Sequence, residues 1–91
     1  MSKRHIRRAV RGDQYEFSMH ALEEMDNDNL TEVDVRKVLL NGPIEAELRD
    51  DPRGIRFVVK ARLRGVEIEV VCRFLPSSGW LRIITVYMVE A

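Results

Sequence analysis

The sequence predicts an α+β domain in which about three N-terminal helices pack on one face of a four-stranded antiparallel sheet. Apolar residues recur at helical spacing as far as Leu39, then at a period of two from Ile44 onward. Clusters of turn-forming residues cut the second half into four alternating runs. A chain of 91 residues is long enough for one core and too short for two, so residues 1–91 read as a single domain.

Residues 1–14 form a basic N-terminal helical segment. Within it Ile6, Ala9 and Val10 fall at i, i+3, i+4, with the arginines on the other side. Gly12 is a stop, which gives a short amphipathic helix over 3–11. Residues 15–42 hold two further helices. Ser18 is the N-cap of the first, and Phe17 before it is placed to staple onto Leu22. Ala21, Leu22 and Met25 supply its apolar stripe, and Asp26-Asn27-Asp28-Asn29 ends it. Thr31 caps the next helix, with Asp34 three residues on and Leu30 placed to staple onto Val35. Val35, Val38 and Leu39 face inward, and Gly42-Pro43 prevents the helix from continuing.

Residues 43–90 alternate as strands. Ile44, Ala46 and Leu48 form the inner face of the first, and Asp50-Asp51-Pro52-Arg53-Gly54 is a turn. Ile55, Phe57, Val59, Ala61 and Leu63 share the inner face of the second. Arg64-Gly65 is a two-residue hairpin turn, after which Val66, Ile68, Val70, Cys72 and Phe74 continue inward. Pro76-Ser77-Ser78-Gly79 turns the chain into a last strand with Leu81, Ile83, Thr85, Tyr87 and Val89 inside. The Arg64-Gly65 turn pairs Leu63 with Val66 and sets Arg62 against Glu67, Lys60 against Glu69 and Val58 against Val71. It also sets Arg56 against Arg73. Closing the last hairpin over four residues sets Arg73 against Arg82, so three arginines stand in a row on the open face. Beside them Val58, Val71, Ile84, Val86 and Met88 form an outward apolar strip, the kind of surface that marks a partner.

The 15 basic and 15 acidic residues cancel, yet they are segregated. Residues 1–12 and 53–64 are basic without an acid, whereas 13–34 carry eight acids and no Lys or Arg. Such blocks are commonly solvated faces. Their alternation also allows one side of a neutral protein to bind a polyanion, or two copies to associate head to tail. A content of 45% hydrophobic and 33% charged residues excludes a disordered chain. No apolar run reaches membrane-spanning length, and the basic start has no hydrophobic stretch behind it, so a cytoplasmic location is expected. One cysteine and two histidines exclude a disulfide and a zinc-finger spacing, and no cofactor motif is present.

The arginine row of Arg56, Arg73 and Arg82, with Lys60, offers guanidinium forks for phosphate oxygens, or else splays harmlessly into water. Trp80 beside it offers a stacking surface for a base. His20, at the second position of the second helix, is a candidate base, or completes the hydrogen bonding of the helix end. His20 and Glu24 share a helical face but lack a third metal ligand. Cys72 falls among core positions as a small hydrophobe. Tyr87 puts its ring in the core with the hydroxyl at the rim, and Thr85 needs a polar partner such as His20.

Phe17-Ser18-Met19-His20-Ala21, Met25, Leu30-Thr31-Glu32-Val33-Asp34-Val35, Val38-Leu39 and Gly42 resemble the start of domain-of-unknown-function family 4258. Gly54-Ile55-Arg56-Phe57-Val58-Val59, Glu69-Val70-Val71 and Ile84-Thr85-Val86-Tyr87 resemble the remainder, over roughly residues 15 to 88. The resemblance implies a fold similar to RelE/ParE-type toxins and small bacterial ribonucleases, with RNA or an antitoxin as partners. Members usually carry an arginine before the methionine of the second helix and another before its loop; here Glu24 and Asp28 stand in those places. A ribonuclease of this kind implies His20 as base, Arg73 as charge stabiliser and Tyr87 as acid, with Arg56, Lys60, Arg82, Trp80 and Thr85 in the binding surface. The other reading is a non-catalytic interaction domain whose open sheet face takes a protein partner or a second copy of the chain.

Overall fold

A computed structural model of the chain describes residues 3–89; residues 1–2 and 90–91, at the ends of the expected helical and sheet segments, lie outside the described residues. The element order is α1 (Lys3–Arg11), β1 (Tyr15–Phe17), α2 (Met19–Asn27), α3 (Glu32–Asn41), β2 (Ile44–Leu48), β3 (Arg56–Leu63), β4 (Val66–Phe74) and β5 (Leu81–Val89). The strands form one five-stranded sheet in the order β1-β5-β4-β3-β2. β1 runs parallel to β5 and the other neighbours are antiparallel, so the expected four-stranded antiparallel sheet is corrected to a five-stranded mixed one.

The helices follow their local signals. α1 buries Ile6, Ala9 and Val10 and presents its basic residues outward. Ser18 caps α2, its Oγ accepting from the Ala21 N–H at 3.0 Å. Of the expected stripe of α2, Ala21 and Met25 are buried while Leu22 is 45% exposed, so the Phe17 staple onto Leu22 is corrected. α3 opens with a reciprocal capping box: Thr31 Oγ1 accepts from the Asp34 N–H at 3.2 Å, and Asp34 Oδ2 accepts from the Thr31 N–H at 2.9 Å. Leu30 and Val35 are both buried beneath that cap.

The second oxygen of Asp34 accepts from Arg64 Nη1 at 3.0 Å, which ties the start of α3 to the β3–β4 turn. In that turn Arg64 and Gly65 have φ of 51° and 79°, the two positive values of a type I′ hairpin. The Arg64 hydrogen bond, and after it the Thr31 N–H, hold the buried Asp34 carboxyl at about 2 rather than 3.8. A carboxylate whose pKa is depressed by folding stabilises fully above its unfolded value and loses that contribution as pH falls through the folded one. Wild-type protein is therefore expected to lose stability between about pH 4 and pH 2. Asp34→Ala should lower the neutral-pH melting temperature and flatten this acid limb, as thermal melts across pH would show.

The β3–β4 register matches the expectation over its whole length, from Phe57 opposite Cys72 to Leu63 opposite Val66. The β4–β5 pairing matches from Phe74/Leu81 to Cys72/Ile83 and then slips, because Ile84 is an extra residue and Val71 pairs with Thr85. Beyond this bulge the faces of β5 exchange relative to a strictly alternating strand. Val86 enters the core and is fully buried, while Thr85 and Tyr87 move to the open face, contrary to the inner positions expected for them. The outward apolar strip loses Val86 and Met88 for the same reason. A second irregularity between Ile44 and Ala46 pairs Ala46 with Val58 and Leu48 with Arg56. Only Ile44 of β2 packs against the core, and the expected inner run of three is corrected.

The core lies between the three helices and the inner face of β3, β4 and β5, centred on Phe57, Val59, Val70, Leu81 and Ile83. Cys72 is buried there, and burial pushes its thiol up to about 12, which leaves it an inert core side chain. Among the described residues no helix is long and apolar enough to cross a membrane.

Candidate functional site on the open face of the sheet

The face of the sheet turned away from the helices carries most of the expected site residues in rows across the strands. Glu16 of β1 pairs with Arg82, and Arg82 pairs with Arg73. Arg56 opens β3 one residue before Phe57, and the same register extends the row to it. The next row holds Thr85, Val71 and Val58, and the one after it Tyr87, Glu69 and Lys60. Trp80 is 40% exposed one residue before β5, and its carbonyl accepts from the Leu75 N–H at 2.8 Å to close the turn.

The three arginines differ in their counter-charges. Arg82 donates from Nη1 to the carboxylate of Glu16. Arg56 donates from Nη2 to Asp50 at 3.2 Å and its Nε lies 3.8 Å from Asp51, too far for a hydrogen bond. That Nε is buried and has no hydrogen-bond partner. Asp51 is held at about 2, first by a hydrogen bond from the Arg53 side chain. Arg73, between two arginines, has no side-chain hydrogen bond or ion pair among the described residues. It is half-buried, so its charge is less screened than that of a fully exposed arginine. Lys60 is likewise without a side-chain partner among the described residues.

Tyr87 is positioned by Glu69 across the strand pair. A hydrogen bond to Glu69, with some burial, pushes its phenol up to about 12, so it stays a neutral proton donor at ordinary pH. Thr85 stands on the open side of β5 and makes no hydrogen bond to His20, which corrects that expected partnership.

Of the expected site residues, Trp80 lies in the turn just before β5, and His20 lies off the sheet altogether. His20 projects from the first turn of α2 with a side chain 64% exposed, its Nε2 3.2 Å from Glu24 Oε1. The same Glu24 oxygen accepts from the Val86 N–H at 3.0 Å. Ser18 donates from Oγ to the Ile84 carbonyl at 2.8 Å, and its N–H donates to the Ile83 carbonyl at 2.9 Å. β1 pairs with β5 only as far as Ile83, and beyond it the side chains of Ser18 and Glu24 satisfy the strand edge. α2 thus fixes the bulge that turns Thr85 and Tyr87 outward. Glu24→Ala is expected to cost about 1–3 kcal/mol, because the Val86 N–H loses its acceptor in a partly buried place. Urea denaturation would measure this, and faster amide exchange at Val86 would locate it.

Sequence reasoning named Ser18 as a cap and Glu24 as a replaced arginine and as a neighbour of His20, but gave neither a role at the edge of β5. It missed Glu16, Asp50 and Asp51 as counter-ions of the row and Glu69 as the partner of Tyr87. Among the described residues no three His, Cys, Asp or Glu side chains cluster as a metal site, and the His20–Glu24 pair has no third ligand.

A family model described as a domain of unknown function, DUF4258, matches residues 17–88. The chain belongs to this family. The match opens at the last residue of β1 and closes near the end of β5, so the DUF4258 region includes α2, α3 and the four longer strands but not α1. Within the matched region the Ser18–Ile84 hydrogen bond joins Ser18-Met19-His20-Ala21 to Ile84-Thr85-Val86-Tyr87, and the Glu24–Val86 bond adds a second tie from later in α2. Ala21 is fully buried, which leaves no room for a larger side chain beneath α2. Neither a curated protein nor a solved structure gives a match to the chain.

Proposed function

We propose that this DUF4258 domain binds single-stranded RNA on its open sheet face and acts as a RelE/ParE toxin-like ribonuclease component of a toxin–antitoxin pair. The observation that carries the reading is Arg73: a half-buried guanidinium unpaired among the described residues and flanked by Arg82 and Arg56, with Trp80 in the turn just before β5. A phosphate fits this row because guanidinium groups fork onto its oxygens and relieve the repulsion of three aligned cations. Trp80 adds a stacking surface for a neighbouring base, and Lys60 a second backbone contact.

Cleavage would use the RNA's own 2′-hydroxyl. His20 takes its proton, the 2′-oxygen attacks the adjacent phosphorus, and the 5′-oxygen leaves with a proton from Tyr87 while Arg73 balances the charge on the phosphoryl oxygens. The Ile84 bulge supports this assignment, since it puts Tyr87 on the same face as Arg73 and borders α2, which carries His20. Glu24, 3.2 Å from the imidazole, orients it.

Incubation of the protein with end-labelled single-stranded RNA, with products resolved on a gel, tests both steps. The expected result is retention of the RNA and cleavage that is lost in His20→Ala and reduced in Tyr87→Phe, with binding intact in both. Binding without cleavage would reduce the reading to an RNA-binding domain. No binding, together with concentration-dependent dimers broken by Val71→Asp, would replace it with self-association through the open face.

A further inference from the structure

A groove between α1 and the β4–β5 turn lies apart from the open face and takes no part in the reading above. It encloses about 460 Å³, within the roughly 300–1,000 Å³ of small-molecule sites. One wall is Ala9 of α1, and the facing wall is Phe74, Leu75 and Pro76. The Phe74 ring is held edge-on to the core ring of Phe57 at 6.2 Å, so that wall is anchored from behind. The polar lining is sparse and consists of Arg8, His5 and Gln14. Arg8 has no side-chain partner among the described residues, and His5 lies one turn earlier on the same helix. The side-chain amide of Gln14 is also without a hydrogen-bond partner among the described residues. Among the described residues no carboxylate lines the groove, and Asp13, next to Gln14 in sequence, is bound by Arg36 at 2.8 Å.

We propose that this groove binds a nucleoside monophosphate unit. The base lies against Phe74, Leu75 and Pro76, the Gln14 amide reads its edge, and the phosphate sits on Arg8 near His5. An amide presents a donor and an acceptor side by side, the pattern that matches the edge of a nucleobase. A guanidinium forks onto phosphate oxygens. A plain fatty acid would leave the amide without a partner, and a bare phosphate would leave the apolar walls wet. The unit can be a free mononucleotide or the end of an RNA strand, because the turn that closes the groove at Gly79 continues directly into Trp80. The proposal does not depend on Arg73, so it stands or falls separately from the open-face reading.

Titration of the full chain with AMP, CMP, GMP and UMP, followed by backbone amide NMR, tests it, with adenosine and inorganic phosphate as controls. Expected are saturable shifts at Ala9, Phe74, Leu75 and Gly79 with a Kd of about 1 mM or below. Arg8→Glu should raise that Kd about tenfold or more, as should Pro76→Glu on the facing wall. Lys37→Glu, an equal charge change on α3, should leave it within about twofold. A 5′-phosphorylated short RNA compared with its 5′-hydroxyl form distinguishes a strand end from a free nucleotide as the ligand. The proposal is overturned if no mononucleotide saturates below about 10 mM, if phosphate alone gives the same shifts, or if Lys37→Glu weakens binding as much as Arg8→Glu. If mononucleotides fail while RNA still binds in an Arg73-dependent way, only the groove assignment is lost.

Discussion

A Gly42→Ala variant is expected to lose about 2–3 kcal/mol of folding stability and to melt roughly 10–20 °C below wild type. Gly42 follows α3 with φ −77° and ψ 149°, a conformation open to any residue, so backbone freedom is not the reason for glycine here. The reason is proximity. A Cβ at this position would lie 2.4 Å from the Lys60 carbonyl oxygen and 2.9 Å from the Val38 carbonyl oxygen. Both are backbone atoms and neither can rotate away, so α3 would have to lift from β3 and loosen Val38 and Leu39 in the core. Gly12→Ala is the contrast: the tightest contact of its Cβ would be the Arg8 carbonyl oxygen at 3.3 Å, which a small shift relieves, and the Gln14 side chain at 3.8 Å is at ordinary contact distance. Thermal melts of both variants decide the matter, and a Gly42→Ala protein as stable as wild type would contradict this packing of α3 on β3.

Replacing Arg73 by alanine is expected to weaken single-stranded RNA binding by about 10- to 100-fold at low salt, the equivalent of roughly 1–3 kcal/mol. Its guanidinium pairs with no acid among the described residues, so nothing on the protein has to be displaced when a phosphate arrives. Arg82 and Arg56 must first exchange Glu16 and Asp50 for the phosphate. Neutralising those acids should therefore tighten binding: Glu16→Gln and Asp50→Asn are each expected to raise affinity a few-fold. Folding should not suffer in Arg73→Ala, because the change relieves repulsion between aligned arginines. Fluorescence anisotropy with a labelled RNA, beside a melting curve, measures both quantities. An Arg73→Ala protein that binds as wild type would leave the row as a solvated surface.

The parts of this structure that were legible in the sequence are those fixed by local chemistry. Thr31 with Asp34, and Ser18 ahead of Ala21, mark helix starts within four residues of chain. The Arg64-Gly65 turn sets the β3–β4 register by itself, and the seven pairs that follow obey it. What escaped was set by contacts distant in sequence. β1 has only three residues, too few for a period of two to show, and pairs with β5 some 66 residues later. The bulge at Ile84 falls in a strand that is apolar at nearly every position, Leu81-Arg82-Ile83-Ile84-Thr85-Val86-Tyr87-Met88-Val89, so alternation there cannot reveal a slip of one.

That slip decides the candidate site. A regular β5 would hold Tyr87 and Thr85 beneath the helices, away from Arg73; the bulge, pinned by Ser18 and Glu24, returns them to the arginine face. The counter-ions were hidden for a related reason. Glu16 reaches Arg82 only through the unforeseen β1 pairing, and Asp50 and Asp51 reach Arg56 by the path of a loop that composition marks only as a turn.

The central claim, that the open sheet face holds the RNA backbone, is tested most directly by the salt dependence of binding. Single-stranded nucleic acid releases about 0.7 counterion per phosphate neutralised. Engagement of Arg73 and Lys60 alone predicts a slope of log K against log salt of about −1.4, and engagement of Arg82 and Arg56 as well about −2.8. The account predicts a wild-type slope between these values, shallower in Arg73→Ala by about 0.7 and steeper in Glu16→Gln. A slope of zero, or a slope unchanged by Arg73→Ala, would contradict it.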